Sequence, residues 1–65
     1  MRNIAEYLNE QNDRIVISTN GMSVLKVNLT TGKTVLVSGL NIEGIRREMN
    51  AFIRNDNAHE LHIIE

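Results

Sequence analysis

The chain has 65 residues, a formal net charge of −1 and no cysteine. This length suffices for one domain, predicted over residues 1–65, and a domain of this size buries only about 60% of the surface that its unfolded chain exposes. Without cysteine, a disulfide framework and a thiolate metal site are excluded. We therefore expect a small core that burial against a second copy of the chain would extend, and a homodimer is predicted.

The N-terminal segment contains no apolar run of signal-peptide length, and no stretch approaches the ~20 apolar residues that span a bilayer. These features predict a cytoplasmic protein without membrane contact. A net charge close to zero also gives no long-range attraction to nucleic acid or to anionic lipid. Any contact with nucleic acid would depend on a local cluster of basic side chains.

The first predicted element is a short α-helix over residues 3–11. Asn3 is the candidate N-cap, and Glu6 follows three residues later, at the position of a capping-box carboxylate. Ile4, Tyr7 and Leu8 then fall on one side of the helix. Three apolar anchors make a weak helix by propensity, so we expect docking onto the rest of the domain to hold it.

The middle of the chain predicts a three-stranded antiparallel meander. Residues 14–19 and 33–38 are rich in β-branched side chains, and residues 22–29 alternate between apolar and polar. Asn20-Gly21 predicts a two-residue turn between the first two strands, because a type I′ turn needs positive φ at both positions. A second tight turn connects the last two strands.

The predicted sheet has one richly apolar face and a second face that is apolar only in part. The richer set, predicted to lie beneath a helix, comprises Ile15, Ile17, Leu25, Val27, Leu29, Val35 and Val37. On the second face Val16, Val24 and Leu36 are flanked by Arg14 and Lys26. Three covers for these apolar side chains stay open, namely the N-terminal helix, a second copy of the chain, or a different protein.

Residues 42–54 predict the long helix that covers the richer face, with Asn41 as N-cap and residues 55–57 as its end. Its apolar stripe has helical spacing and consists of Ile42, Ile45, Met49, Phe52 and Ile53. Residues 59–64 predict a short terminal strand, which a right-handed crossover would return parallel to the third strand. This strand would pair with the free edge of residues 14–19 or with a partner chain.

The predicted fold class is therefore α+β with the order α-β-β-β-α-β. It is a three-stranded antiparallel meander with a helix packed on one face and a short terminal strand.

Two short motifs resemble sites but predict ordinary structure. Gly32-Lys33 matches the tail of a P-loop, yet the first glycine of that motif is replaced by Val27, so a hairpin turn is predicted. His59 and His62 are three apart in a predicted strand, which would send them to opposite faces and away from a shared metal. The residues predict no catalytic group, no metal, no cofactor and no small-molecule substrate.

The predicted function is a non-enzymatic interaction module that binds another protein as a homodimer. It would be a small accessory or inhibitory protein of the kind that bacteria and phages make. Val16, Val24 and Leu36 would supply the buried area, and Arg14 and Lys26 would orient the partner at the rim.

The alternative is a nucleic-acid-binding regulatory protein that uses Arg46, Arg47 and Arg54 on the long helix. The predicted order of elements up to this helix resembles that of double-stranded-RNA-binding domains. Those domains place a lysine cluster at the start of their final helix, where this chain has Asn-Ile-Glu-Gly at residues 41–44. Salt separates the two functions, because binding through phosphates weakens steeply with salt whereas an apolar interface hardly responds.

Overall fold

The computed structural model describes residues 1–64, which form one β-sheet and one α-helix. The elements in chain order are β1 (Arg2–Leu8), β2 (Arg14–Thr19), β3 (Val24–Asn28), β4 (Thr34–Val37), α1 (Ile42–Asn55) and β5 (His59–Ile63). All neighbouring strands are antiparallel, in the order β4-β3-β2-β1-β5. The α+β class is confirmed, and no helix within the described residues is long and apolar enough to cross a membrane.

The prediction of an N-terminal helix is wrong, because Arg2–Leu8 form a strand in the interior of the sheet. β1 pairs with β2 on one side and with β5 on the other. Ala5 and Tyr7 are buried beneath α1, whereas Glu6 and Leu8 point to the opposite side. Pairing on both edges gives the backbone N–H and C=O groups their partners, and this pairing outweighs the weak local helix signal.

A compact loop, residues 9–13, joins β1 to β2 where the predicted helix was to end. The side chain of Asn9 holds this loop, because its Oδ1 accepts hydrogen bonds from the N–H groups of Gln11 and Asp13, each at 2.9 Å. Asn12 has a φ of 65°, a left-handed conformation that asparagine tolerates. The polar segment is therefore a hairpin connection.

The meander of β2, β3 and β4 is confirmed, but its first turn differs from the predicted one. Thr19 pairs with Val24, so four residues rather than two connect β2 to β3. The Oδ1 atom of Asn20 accepts hydrogen bonds from the N–H groups of Met22 and Ser23 and holds the longer loop. A loop with an even number of residues, two or four, pairs odd-numbered positions of one strand with even-numbered positions of the next.

The covered face of the sheet, defined as the face beneath α1, therefore takes Val24 from β3 rather than Leu25 and Val27. Cross-strand partners share a face, and the register places Val24 in the same core as Ile15 and Ile17. All three are among the largest fully buried side chains, and Val24 has 0% exposure. The predictions that Val24 lies on the second face and that Leu25 and Val27 lie beneath the helix are both wrong.

Helix α1 begins where it was predicted to begin. The Oδ1 atom of Asn41 accepts a hydrogen bond from the N–H group of Gly44 at 2.8 Å, which makes it the N-cap. Ile45 is buried and Phe52 packs against the core. Ile42, in contrast, is 75% exposed, so the stripe that faces the sheet starts one turn later than predicted.

The N-cap gives a first testable prediction. Replacing Asn41 with alanine leaves the N–H group of Gly44 without its acceptor and is expected to lower the free energy of unfolding by about 1 kcal/mol. Asn41→Asp keeps an acceptor and adds a negative charge at the helix N-terminus, so it should cost little. Urea unfolding followed by circular dichroism measures both, and equal losses in the two variants would argue against capping.

Strand β5 pairs antiparallel with β1, so the predicted parallel return beside β2 is wrong. The edge of β2 that was left free in the prediction is occupied by β1. His59 pairs with Leu8 and His62 pairs with Glu6, so both histidines lie on the same face rather than on opposite faces. The φ of 51° at Glu60 and the register shift mark a bulge that changes the alternation between them.

Candidate functional site

The face of the sheet opposite α1, here called the open face, has no covering element within residues 1–64. Four neighbouring strands place apolar side chains on it, namely Leu8, Val16, Leu25, Val27 and Leu36. Leu36 is 60% exposed, and the other four are partly exposed. The open face therefore presents a cluster of apolar side chains to solvent, which is a feature of interaction sites.

Two cross-strand pairs form the centre of this apolar cluster. Val16 of β2 pairs with Val27 of β3, and Leu25 of β3 pairs with Leu36 of β4. Directly opposite side chains in an antiparallel sheet have Cβ atoms about 5 Å apart and pack against each other. The four side chains thus form one patch across β2, β3 and β4 rather than separate exposed residues.

Charged groups of both signs border the patch on the side of β1. Glu6 pairs with Val16, and Arg14 pairs with Leu8, so both ionisable side chains lie on the open face. Arg14 is exposed. An apolar centre with a polar, charged rim is the usual anatomy of a protein–protein interface.

The structure brings together three of the five residues that were predicted to bind a partner. Arg14, Val16 and Leu36 lie on the open face, as predicted. Val24 and Lys26 lie on the covered face, so their predicted membership of the exposed face is wrong. The physical reason is the even loop between β2 and β3. Leu25 and Val27 lie on the open face instead of Val24 and Lys26. The even number of residues in the predicted Asn-Gly turn was the sequence signal that could have identified them.

Lys26 belongs to a polar cluster where the C-terminal end of α1 meets the sheet. The hydroxyl of Tyr7 donates a hydrogen bond to Asp56 Oδ2 at 2.5 Å, and Lys26 Nζ lies 3.2 Å from the same oxygen. Lys26 Nζ also lies 5.0 Å from the centre of the Phe52 ring, within range of a cation–π interaction. Burial, the hydrogen bond to Asp56 and the charge of that carboxylate raise the pKa of Tyr7 well above its usual range. The cluster ties α1 to the sheet.

The three arginines of the nucleic-acid alternative are all exposed on α1. Arg47 and Arg54 are seven residues apart and share a side of the helix, and Arg54 lies in the last turn, where the helix dipole favours a cation. Arg46 lies beside them in sequence. Because the first element is a strand, the resemblance in element order to double-stranded-RNA-binding domains is lost. Nucleic-acid binding through these side chains stays a prediction.

The two motifs that resemble a phosphate site and a metal site lie in ordinary structural elements. Gly32 lies in the turn between β3 and β4, where it has a φ of 82° and donates its N–H to the carbonyl of Asn28 at 2.7 Å. The predicted hairpin turn is therefore confirmed. In the part of the chain that the structure describes, no three His, Cys, Asp or Glu side chains are grouped so that they could hold a metal ion.

Comparisons of the chain with protein-family models, with curated proteins and with solved structures found no match. The functional interpretation therefore depends on the geometry of this chain.

Proposed function

We propose that the protein is a non-enzymatic interaction module that forms a homodimer through its open face and binds another protein in that form. The observation that supports the proposal is the sheet with α1 on one side and an apolar patch on the other. A chain of this length rarely has more than roughly 3–5 kcal/mol of stability from its own core. Packing a second copy on the patch would add buried apolar area at about 25 cal/mol per Å².

The dimensions of the open face suit the packing of sheet on sheet. Five strands spaced about 4.8 Å apart give a face roughly 20 Å wide. Two such faces pack about 10 Å apart when their strands cross at roughly −30°. Val16 and Val27 would lie at the centre of the interface, and the assembly would have four layers, helix, sheet, sheet and helix.

The charges favour a second copy as the first occupant of the open face. A two-fold interface uses the same patch on both subunits, so the patch must be complementary to itself. Glu6 and Arg14 supply both signs on one face, and the Arg14 guanidinium of one copy can therefore face the Glu6 carboxylate of the other. The net charge of −1 adds little repulsion between copies.

Solution mass tests the dimer. Light scattering of the wild-type chain is expected to give twice the mass of the chain, and Val27→Glu is expected to give the mass of one chain with its circular dichroism unchanged. The introduced carboxylate would lose its hydration at the centre of the dry interface, so dimerisation should weaken at least about tenfold.

Val35→Glu is the matched control for this measurement. Val35 is a valine in the same sheet, 43% exposed, on the covered face and opposite Lys26. This variant should dimerise like the wild type. A wild-type chain that is monomeric at every concentration, or a folded Val27→Glu chain that stays dimeric, would overturn the proposal.

A further inference from the structure

A groove runs along α1 on the covered face of the sheet, beside β1 and β5. The helix approaches β3 most closely, and an α-helix with its side chains is only about 10–12 Å wide. Five strands span roughly 20 Å, so one helix covers about half of the sheet. The other half holds a cavity of about 410 Å³.

The groove has apolar side chains on both of its sides. Ile42, Ile45 and Met49 line it from α1, and Ile4 and Ile63 line it from β1 and β5. The exposure of Ile42 and Ile63 is 75% and 43%, although both face this concave surface. A sheet of this width offers room for two helices side by side, since packed helices lie 8–10 Å apart. The groove lies where a second helix would pack beside α1, and it has the apolar side chains that such a helix would contact.

Arg46 gives the groove its positive charge. It lines the groove together with Arg2, and the described lining residues include no Asp or Glu. Arg46 extends from the exposed side of α1. A ligand with apolar anchors and carboxylates alongside them therefore complements the groove in both shape and charge.

A second copy of the chain does not fit this groove. Its helix already uses its apolar stripe on its own sheet, and it would offer Glu43, Arg47 and Arg54 from its exposed side. An added strand does not fit either, because a strand would extend the sheet beyond β5 rather than lie above it. The bulge at Glu60 also interrupts that edge. These two arguments favour a helix of another protein as the occupant.

We propose that the groove binds an acidic amphipathic α-helix of a partner protein. The lining from Ile42 to Asn50 spans nine residues of α1, and the eight rises between them amount to about 12 Å at 1.5 Å each. A partner helix would contact this length over just over two turns, with apolar residues at i, i+3 or i+4, and i+7 facing the sheet. Its Asp or Glu residues would lie along the side next to Arg46. This inference goes beyond the proposed dimer and does not depend on it.

A designed peptide serves as the probe. It is a labelled helix of about four turns with leucine at i, i+3, i+4 and i+7 and glutamate at the flanking positions. Fluorescence anisotropy with the full chain is expected to show saturable binding. A peptide with lysine in place of glutamate should bind at least about tenfold more weakly, and a scrambled peptide of the same composition should not saturate.

Two charge reversals on α1 make the matched test. Arg46→Glu is expected to weaken binding of the acidic peptide by about tenfold and to improve binding of the lysine peptide. Arg47→Glu changes the net charge equally, at a neighbouring exposed residue outside the groove lining, so the affinity should change less than about threefold. Ile42→Ser, at an exposed apolar wall, should weaken both peptides, and Val27→Glu on the open face should affect neither.

Three outcomes would overturn the helix proposal. The first is equal weakening by Arg46→Glu and Arg47→Glu, which would show general electrostatic attraction. The second is the absence of saturable peptide binding. The third is a change in the NMR chemical shifts of the groove amides on addition of dodecanoate, with no change on addition of the peptide. That result would assign the groove to a small amphipathic anion. A monomeric wild-type chain that binds the peptide would refute the proposed dimer and leave the groove proposal standing.

Discussion

Val24→Glu is expected to leave the chain unfolded at neutral pH. Val24 has 0% exposure and lies beneath α1 among the largest buried side chains. An uncompensated carboxylate in such a place costs several kcal/mol, whereas a bare domain of this size has only roughly 3–5 kcal/mol of stability. Circular dichroism and the dispersion of the amide proton spectrum measure the result.

Val27→Glu is the control for this prediction, because it makes the same substitution three residues later in the same strand. Val27 lies on the open face, where the new carboxylate stays hydrated and has Arg14 on the neighbouring strand as a diagonal neighbour. At a concentration where the wild type is monomeric, Val27→Glu should lose less than about 1 kcal/mol. A folded Val24→Glu chain, or equal unfolding of the two variants, would contradict the register described above.

The elements whose signals are local could be predicted from the sequence. β2, β3 and β4 have β-branched side chains between turn residues, and α1 has a helical stripe that starts directly after a good N-cap, Asn41. In these segments propensity, apolar period and boundary residues indicate the same structure. The structure agrees with the predicted bounds of these four elements to within two residues at every end.

The first element could not be assigned in this way. Ile4, Tyr7 and Leu8 fit one side of a helix, and Asn3 with Glu6 imitates a capping box. In the structure a register shift between Asn3 and Ala5 interrupts the alternation of the strand, so the period of two is hidden in the sequence. Whether this segment forms a helix or a strand is therefore decided by its pairing with β2 and β5. No local sequence pattern indicates that pairing.

The assignment of β3 residues to the two faces of the sheet could have been predicted from the sequence. Thr19 pairs with Val24 across four loop residues, and the predicted two-residue turn would also have placed Val24 on the face of Ile17. Cross-strand parity, applied to the turn, would have assigned Leu25 and Val27 to the open face. The polar cluster could not have been predicted from the sequence, because its members Tyr7 and Asp56 are 49 residues apart.

The two proposed surfaces lie on opposite sides of one sheet, which allows both to be occupied together. Dimerisation through the open face would leave each groove at the outside of the four-layer assembly, next to α1. A partner that carries two acidic helices could then engage both grooves, and the second contact would become intramolecular. Such avidity can exceed the affinity of one groove by about 10²–10⁴ when the linker spans the sites.

The Tyr7 hydroxyl is expected to make the protein sensitive to alkali. Burial and the Asp56 carboxylate raise the pKa of Tyr7 above its value in the unfolded chain, which is about 10. The contribution of this group to stability is therefore fully present below pH ~10. It is lost as the pH rises further, by about 1.4 kcal/mol per pH unit, because the unfolded chain releases the proton and the folded chain keeps it.

Tyr7→Phe isolates this effect, since Tyr7 is the sole tyrosine of the sequence. At neutral pH the variant should lose about 1 kcal/mol with the hydrogen bond, while Lys26 still pairs with Asp56. Above pH ~10 its free energy of unfolding should fall less steeply than that of the wild type, and both chains share the titration of their lysines. The ultraviolet absorbance of tyrosinate, followed together with circular dichroism, checks the mechanism directly. Tyrosinate should appear only as the wild-type chain unfolds, and its appearance near pH ~10 in a folded chain would show that the hydroxyl is not held by Asp56.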